Sequence, residues 1–281
     1  LTNPFLGHEA EPLEKVEEPK KVMVIGGGVA GLSAAFIAKE RGHEVTLYEA
    51  GDVLGGNMRL AAYPPGKGDI TNMIRSYIHR CQKDGVKIVM NCEVTPELIK
   101  EEKPDSVIIA TGSRTLILPI EGIDNPAIIH GSDLLDGKRP AGKKVLVVGG
   151  GMVGCETAAF LGEQEHDVTV IEFRDTVGAD VIHEHRVYLM KDFEDYGIKE
   201  ITGAKVCKFY EDGVEYETAD GVRHETRGYD SVILSMGFRN YNPLEEKIKD
   251  LVPETHVIGD AIRARRALDA TKEAYEVASR I

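Results

Sequence analysis

Short, unbroken apolar runs alternate along this chain with longer stretches in which apolar residues recur at helical spacing. Residues 20–25 read KKVMVI, 44–50 read EVTLYEA, 105–110 read DSVIIA and 255–261 read THVIGDA. Runs of this length without polar alternation suit strands buried on both faces, as in a parallel sheet. After the first run comes LSAAFIAKERG, a helical pattern that Gly42 stops. DVIHEHRVYLMKDFEDYG, from Asp180, also reads as helix. Between residues 201 and 234 the pattern changes to alternation broken by EDG and ADG turns, which predicts a β-meander.

The junction between the first strand and helix carries candidate chemistry. Gly26, Gly28 and Gly31, with Val29 and Ala30 between the last two, stand where the strand ends and the helix begins. Gly26 allows a tight turn, Gly28 lets backbone approach a pyrophosphate, and Gly31 lets the helix pack close to the strand. The helix N-terminus offers unpaired N–H groups and a positive dipole end to phosphates. Glu49, at the end of the second strand, is placed to accept hydrogen bonds from ribose hydroxyls.

The whole motif occurs twice. KVMVIGGGVAGLSAAFIAKERGHEVTLYE at 21–49 is repeated as KVLVVGGGMVGCETAAFLGEQEHDVTVIE at 144–172. Gly149, Gly151, Met152, Val153, Gly154 and Glu172 stand 123 residues after their counterparts. Gly237 is expected to be a cofactor-binding residue as well. Two dinucleotides in one chain imply an electron passed between them, and a flavin beside a nicotinamide is the economical pair. At the second site the Glu172 carboxylate suits the 2′- and 3′-hydroxyls of NADH and opposes the 2′-phosphate of NADPH. Arg174 relieves part of that opposition, so NADH is favoured over NADPH.

Three further segments find no clear copy around the second fingerprint: Gly55–Gly56 with Asn57 and Arg59, Thr111–Gly112 with Ser113 and Arg114, and Gly259–Asp260 before an arginine-rich helix. They suit a long ligand held at several points, which places the flavin nucleotide at the first site.

Composition narrows the function classes. The 281 residues suit about two domains, 42% are hydrophobic, and the formal net charge is −13. That acidity argues against nucleic acid or an anionic membrane as partner. No apolar run approaches the roughly 20 residues of a membrane-spanning helix, and there is no signal-peptide pattern, so a cytoplasmic location is the expectation. Cys81, Cys92, Cys155 and Cys207 form no CxxC or CxxxxC pair, which removes a vicinal redox dithiol and a local zinc or iron–sulfur site. Cys155, near a helix start, is expected to be a packing residue. No metal site is expected: His183 and His185 diverge on a helix and read as a solvated face. Arg263, Arg265, Arg266 and Arg280 read the same way. There is no GxSxG and no Ser–His–Asp arrangement, and no catalytic side chain is assigned.

On these motifs the chain resembles the two-dinucleotide-binding-domain flavoproteins. The resemblance implies FAD at the first fingerprint, closed by Ala110-Thr111-Gly112 and by Gly259 and Asp260, and NAD(P)H at the second. LGGNM…PPGKGD, GGGMVGCETA and IGDAIRARRALDATKEAYEVA are similar to the C-terminal half of the old-yellow-enzyme-related iron–sulfur flavoenzymes, such as 2,4-dienoyl-CoA reductase, 2-enoate reductase and trimethylamine dehydrogenase. TNPFLGHEAE at 2–11 resembles the segment that follows their last cluster cysteine. Asn57 stands where that family commonly has glutamine.

The expected fold is α/β, with two Rossmann-like dinucleotide-binding domains, the second inserted in the first, and a small β-meander. Residues 1–19 are expected to be a linker from an N-terminal part, 20–115 plus 236–281 the FAD domain, and 116–235 the NAD(H) domain. The expected function is hydride transfer from NADH to FAD. Electrons then pass to an iron–sulfur cluster and an FMN barrel, lying in an N-terminal part of a longer chain, that reduce an activated C=C bond of enoate or enoyl-CoA type. That longer chain is allowed to form a homo-oligomer. Two alternatives are a structural module with ADP in the first site and a stand-alone NADH–ferredoxin-type reductase.

Overall fold

The computed structural model describes residues 3, 4, 6, 7 and 13–281. Residues 1, 2, 5 and 8–12, which include part of the expected linker and most of the TNPFLGHEAE segment, lie outside the described residues. The strands, in chain order, are β1 (Lys21–Ile25), β2 (Glu44–Tyr48), β3 (Lys87–Val89), β4 (Ser106–Ile109), β5 (Ser113–Thr115), β6 (Ile129–His130), β7 (Lys144–Val148), β8 (Asp167–Ile171), β9 (Lys199–Ile201), β10 (Lys205–Tyr210), β11 (Gly213–Glu217), β12 (Arg223–Thr226), β13 (Ser231–Leu234), β14 (Phe238–Asn240) and β15 (Glu254–Val257). The helices are α1 (Val29–Glu40), α2 (Asn57–Leu60), α3 (Asp69–Lys83), α4 (Pro96–Glu102), α5 (Gly131–Leu135), α6 (Met152–Glu163), α7 (His183–Asp195), α8 (Glu245–Ile248) and α9 (Ala267–Ala278).

The chain divides into two compact units. The first holds the described residues up to Ala62, then Asp69–Arg114 and Arg239–Ile281; the second holds Tyr63–Gly68 and Thr115–Phe238. The short segment Tyr63–Gly68, expected within the first domain, therefore belongs to the second unit.

The first unit is built on a sheet of order β15-β4-β1-β2-β3, parallel throughout. β1 is apolar without alternation because both of its faces are covered. Val22 and Val24 pack with α1 and α9, whereas Met23 and Ile25 pack with Ile99 of α4 and Leu244 and Ile248 around α8. Helix α1 is buried from Val29 to Ala38, so its apolar character runs all round rather than along one stripe. Leu32 and Ile37 are fully buried, each contributing about 1.5–3 kcal/mol. It ends at Arg41, and Gly42 follows at φ +102°, a conformation that favours glycine. Ahead of β1, Leu13 packs against this core, and the Val16 N–H donates to the Arg41 carbonyl at 2.9 Å.

The second unit repeats the plan with the order β6-β13-β7-β8-β9, again parallel. Val145 and Val147 of β7 face α6 and α7. On the opposite face, Leu146 and Val148 pack with Phe209 and Val214 of the antiparallel meander β10-β11-β12. The meander thus covers the face that α4 and α8 cover in the first unit. Strands β5 and β14 pair with each other, and at the same place the Leu116 N–H donates to the Gly237 carbonyl at 2.9 Å.

Candidate functional site

In each unit the fingerprint glycines lie at the carboxyl end of the central strand. Gly26 and Gly149 adopt φ of +110° and +104°. Their amides donate to Tyr48 and Ile171 at 2.8 and 2.9 Å, which joins each turn to the neighbouring strand. A Cβ on Gly31 would collide with the Gly26 carbonyl, and one on Gly154 with the Gly149 carbonyl. Gly28 and Gly151 are the N-caps of α1 and α6 and have extended backbone. A Cβ on Gly28 would touch nothing nearer than the Gly56 Cα at 4.0 Å, so its glycine leaves an open approach to the helix end.

The two acidic residues are braced alike. Glu49 accepts from the Gly27 amide through Oε2 and from the Gly51 amide through Oε1, both at 2.7 Å. Glu172 accepts from the Gly150 amide at 2.6 Å and from the Arg174 amide at 2.9 Å. A carboxylate has about four acceptor positions, so each retains roughly two for ribose hydroxyls.

The internal repeat runs further than the sequence reading allowed. The Gly55 amide donates to Gly27 at 2.8 Å, and the Gly178 amide, 123 residues later, donates to Gly150 at 2.7 Å. Leu54 and Val177 crowd the two middle glycines in the same way. The Ala110 amide donates to Ile25 and the Ser235 amide to Val148, each at 2.8 Å, so Ser235-Met236-Gly237 copies Ala110-Thr111-Gly112. Two of the three segments expected to be unique to the first site are therefore present at both. The physical reason is common: any strand beside the central one must pass close to the fingerprint turn.

Gly259–Asp260 follows β15, which pairs with β4 as β6 pairs with β13 in the second unit, and leads into the first site. A Cβ on Gly259, at φ +64°, would lie 2.9 Å from that of Ala30, so this turn abuts the start of α1. Asn57 Nδ2 donates to the Ser113 hydroxyl oxygen at 3.2 Å, and that hydroxyl donates to Asp260 Oδ2 at 2.9 Å. Segments after β1, β2, β4 and β15 thus meet at one edge of the first sheet. Gly56, at φ +54°, brings its Cα side against Gly28, and Arg59 lies in the same short helix, α2. The Thr111 hydroxyl donates to the Tyr241 carbonyl at 2.5 Å, and the Arg114 guanidinium lies 3.4 Å from the Tyr241 ring centre. Gly112, like Gly237, has positive φ.

In the second unit a cavity of about 210 Å³ is lined by Gly149, Gly151, Met152, Val153, Glu172, Arg174 and Gly237. Of the expected second-site residues only Gly154 stands behind it, buried under the turn. Asp180, Ser235 and Met236 also line the cavity and were not foreseen. Asp180 Oδ1 accepts from the Met152 amide at 2.9 Å, at the first turn of α6. The Ser235 hydroxyl is buried without a partner among the described residues.

Glu156 was missed because nothing marks it as buried in the sequence. It is 5% exposed on α6 and pairs with Lys67 and with His185 Nε2, the latter at 3.2 Å. His185 is thus an internal partner rather than part of a solvated face, while His183 is exposed. Arg265 likewise pairs with Glu273. Cys155 is fully buried, its thiol donating to the Gly150 carbonyl at 3.2 Å, and burial pushes its pKa up to about 12. No grouping of three or more metal-ligating side chains occurs among the described residues.

The residues present fit two dinucleotides: open helix starts, acids with acceptor capacity to spare, an orphan hydroxyl on one cavity wall. The profile of the pyridine nucleotide-disulphide oxidoreductase family matches residues 20–258. The chain is 34% identical over 283 residues to the cinnamate reductase of Clostridium sporogenes, covering 99% of this chain and 42% of the relative. It is also 34% identical to the NADH oxidase of Thermoanaerobacter brockii, covering 99% and 44%. A solved complex of 2-naphthoyl-CoA reductase with 2-naphthoyl-CoA superposes with a TM-score of 0.93 at 32% identity, covering 99% of this chain and 43% of that one. The chain spans less than half the length of these relatives. With its two fingerprints and the family's profile across most of its length, the chain belongs to the pyridine nucleotide-disulphide oxidoreductase family, as an FAD- and NAD(P)H-dependent oxidoreductase domain.

Proposed function

We propose that the first site holds FAD, that the second takes NADH, and that the chain is the electron-input part of a reductase acting on an activated C=C bond. The observation that carries the pairing is the Asn57–Ser113–Asp260 hydrogen-bond chain, which ties the segments after β2, β4 and β15 together at the first site and is not repeated among the described residues of the second. A longer ligand needs the additional anchor. FAD supplies hydride acceptance from nicotinamide and release of electrons one at a time.

The protein's own part is positioning. Gly28 and Gly151 leave the helix starts open to pyrophosphates. Glu49 and Glu172 orient riboses through the oxygens that their backbone braces hold in place. The Asn57–Ser113–Asp260 chain fixes the polar wall of the first site. No side chain is required to move a proton in the hydride step. The four cysteines are free thiols and none stands in a CxxC or CxxxxC pair, which separates this chain from the disulphide chemistry in its family's name.

The names cinnamate reductase and 2-naphthoyl-CoA reductase denote substrates with unsaturation conjugated to a carboxyl or thioester group. They support an enoate or enoyl-thioester as final acceptor. A cluster and an FMN barrel in an N-terminal part of a longer chain are the partners that would carry electrons to it. The test is the visible spectrum of the purified chain under anaerobic conditions. A flavin band bleached by NADH is expected, with reduction of ferricyanide and no turnover of an enoate by this chain alone. A colourless protein carrying ADP would overturn the assignment.

A further inference from the structure

The two sites share their frame but differ at one equivalent position. Asn57 and Asp180 stand 123 residues apart, each a few residues beyond the braced acid. Asn57 donates to the carbonyl and the hydroxyl of Ser113 rather than bonding the start of α1. No side chain among the described residues accepts from the first amide of α1, that of Val29. Asp180 does the opposite. Its Oδ1 accepts from the Met152 amide at 2.9 Å, and its other oxygen would lie 3.3 Å from a Cβ on Gly151.

The carboxylate thus stands over the amides at the start of α6, where partial positive charge favours an anion. It lines the same cavity as Glu172 and Arg174. Gly151 lacks a side chain and leaves that space to be filled; in this conformation the filler is the protein's own anion.

We propose that Asp180 is a built-in competitor for the pyrophosphate of the dinucleotide at the second site. It caps α6 when the site is empty and must leave the Met152 amide when the ligand's phosphates arrive. Binding there is a displacement, weaker and more readily reversed than binding at α1, where no such group intervenes. One site is thereby suited to a resident cofactor and the other to a co-substrate that arrives and departs at each turnover. This rests on reading the second site as the nicotinamide dinucleotide site. Charge contributes beside occupancy: the displaced carboxylate remains near a dianionic ligand, with Glu172 as a second negative group and Arg174 as the positive one in the cavity.

The experiment is calorimetric titration of the flavin-loaded chain and of its Asp180→Ala and Asp180→Asn variants with NADH, ADP-ribose and adenosine. Both phosphate-bearing ligands should bind Asp180→Ala roughly three- to thirtyfold more tightly, the range set by charge at a helix start. Asp180→Asn removes the charge but keeps an acceptor, so it should tighten binding less; it also serves as the measurement if the alanine variant folds poorly. Adenosine affinity should not change, since it brings no phosphate. Weaker binding of NADH to Asp180→Ala would mean that the carboxylate holds the ligand, and would overturn the proposal. So would equal tightening of adenosine. If NADH binds neither the parent chain nor the variants, the assignment of the site itself fails, and the proposal with it.

Discussion

Gly31 faces the carbonyl oxygen of Gly26 with no room for a methyl group between them. Gly154 faces Gly149 in the same way. The obstacle is backbone in both cases and cannot rotate aside. Gly31→Ala and Gly154→Ala should each cost about 3 kcal/mol, at the upper end of overpacking. Hydrogen exchange resolves the two: Gly31→Ala should deprotect β1 and β4, and Gly154→Ala β7 and β13. Identical exchange patterns in the two variants would contradict the independence of the two turns.

Glu172 has two tasks, and substitutions separate them. Glu172→Ala should weaken NADH by about 1–3 kcal/mol and improve NADPH, as charge-assisted bonds to the ribose are lost and the 2′-phosphate is no longer opposed. Glu172→Gln is not a mild change here. Both carboxylate oxygens accept backbone amides, so one of them would be replaced by an NH₂ group facing a donor. It should therefore lower the melting temperature of the chain without ligand more than its isosteric shape suggests. An unchanged NADH to NADPH affinity ratio in Glu172→Ala would reduce Glu172 to a loop brace.

The half-buried Lys67 forms an ion pair with the buried Glu156. Removing the lysine leaves an acid that is 5% exposed beside His185 alone. Lys67→Met should destabilise by about 3 kcal/mol, whereas Lys67→Met with Glu156→Met should recover most of that loss. Urea unfolding of the four species of this cycle measures it. Additive losses would show that the two side chains do not interact.

The thiols give a pH dependence. Burial raises Cys81 and Cys155 from 9.0 to about 12. Below pH 9 both are protonated in folded and unfolded chains alike, and their contribution is fully present. Between pH 9 and 12 the unfolded chain releases these protons and the folded chain does not. Stability should then fall by up to about 1.4 kcal/mol per pH unit for each thiol. Cys81→Ala with Cys155→Ala should flatten that decline even if it lowers stability overall. Against a disulphide reagent near pH 8, Cys92 and Cys207 should react first, since both are partly exposed. Fast labelling of four thiols in the folded chain would refute the burial argument.

The parallel strands, the two fingerprints and the meander were legible because each rests on local pattern: unbroken apolar runs, glycines at fixed spacing, alternation between turns. The second copies of the flanking segments were also present in the letters. DSVIIATG at 105–112 stands beside DSVILSMG at 230–237, and in the fold Asp105 and Asp230 accept the amides of Lys21 and Lys144 at 2.8 and 2.7 Å. DSVILSMG escapes notice because the spacing changes by two residues after Asp180, so a search at one fixed offset loses it, while Gly178 keeps the offset but is followed by Ala179 where Gly55 is followed by Gly56. Asp180 itself lies on that offset but is a different residue type from Asn57, and only the folded turn shows that one bonds Ser113 and the other the first amide of α6. The Lys67–Glu156–His185 cluster had no local signature. Its members are separated by 89 and 29 positions, and what unites them is tertiary packing.

Leu116 and Gly237 share a hydrogen bond where the long segment of the second unit, Thr115–Phe238, begins and ends. That segment is consequently a cassette with its two cut points side by side. Splicing residue 115 to residue 238 through a short turn would leave each strand of the first parallel sheet in place, since β1 to β4 and β15 all lie outside the excised stretch. The released block would carry termini already within bonding distance, suited to circular permutation or to exchange for a block with another nucleotide preference.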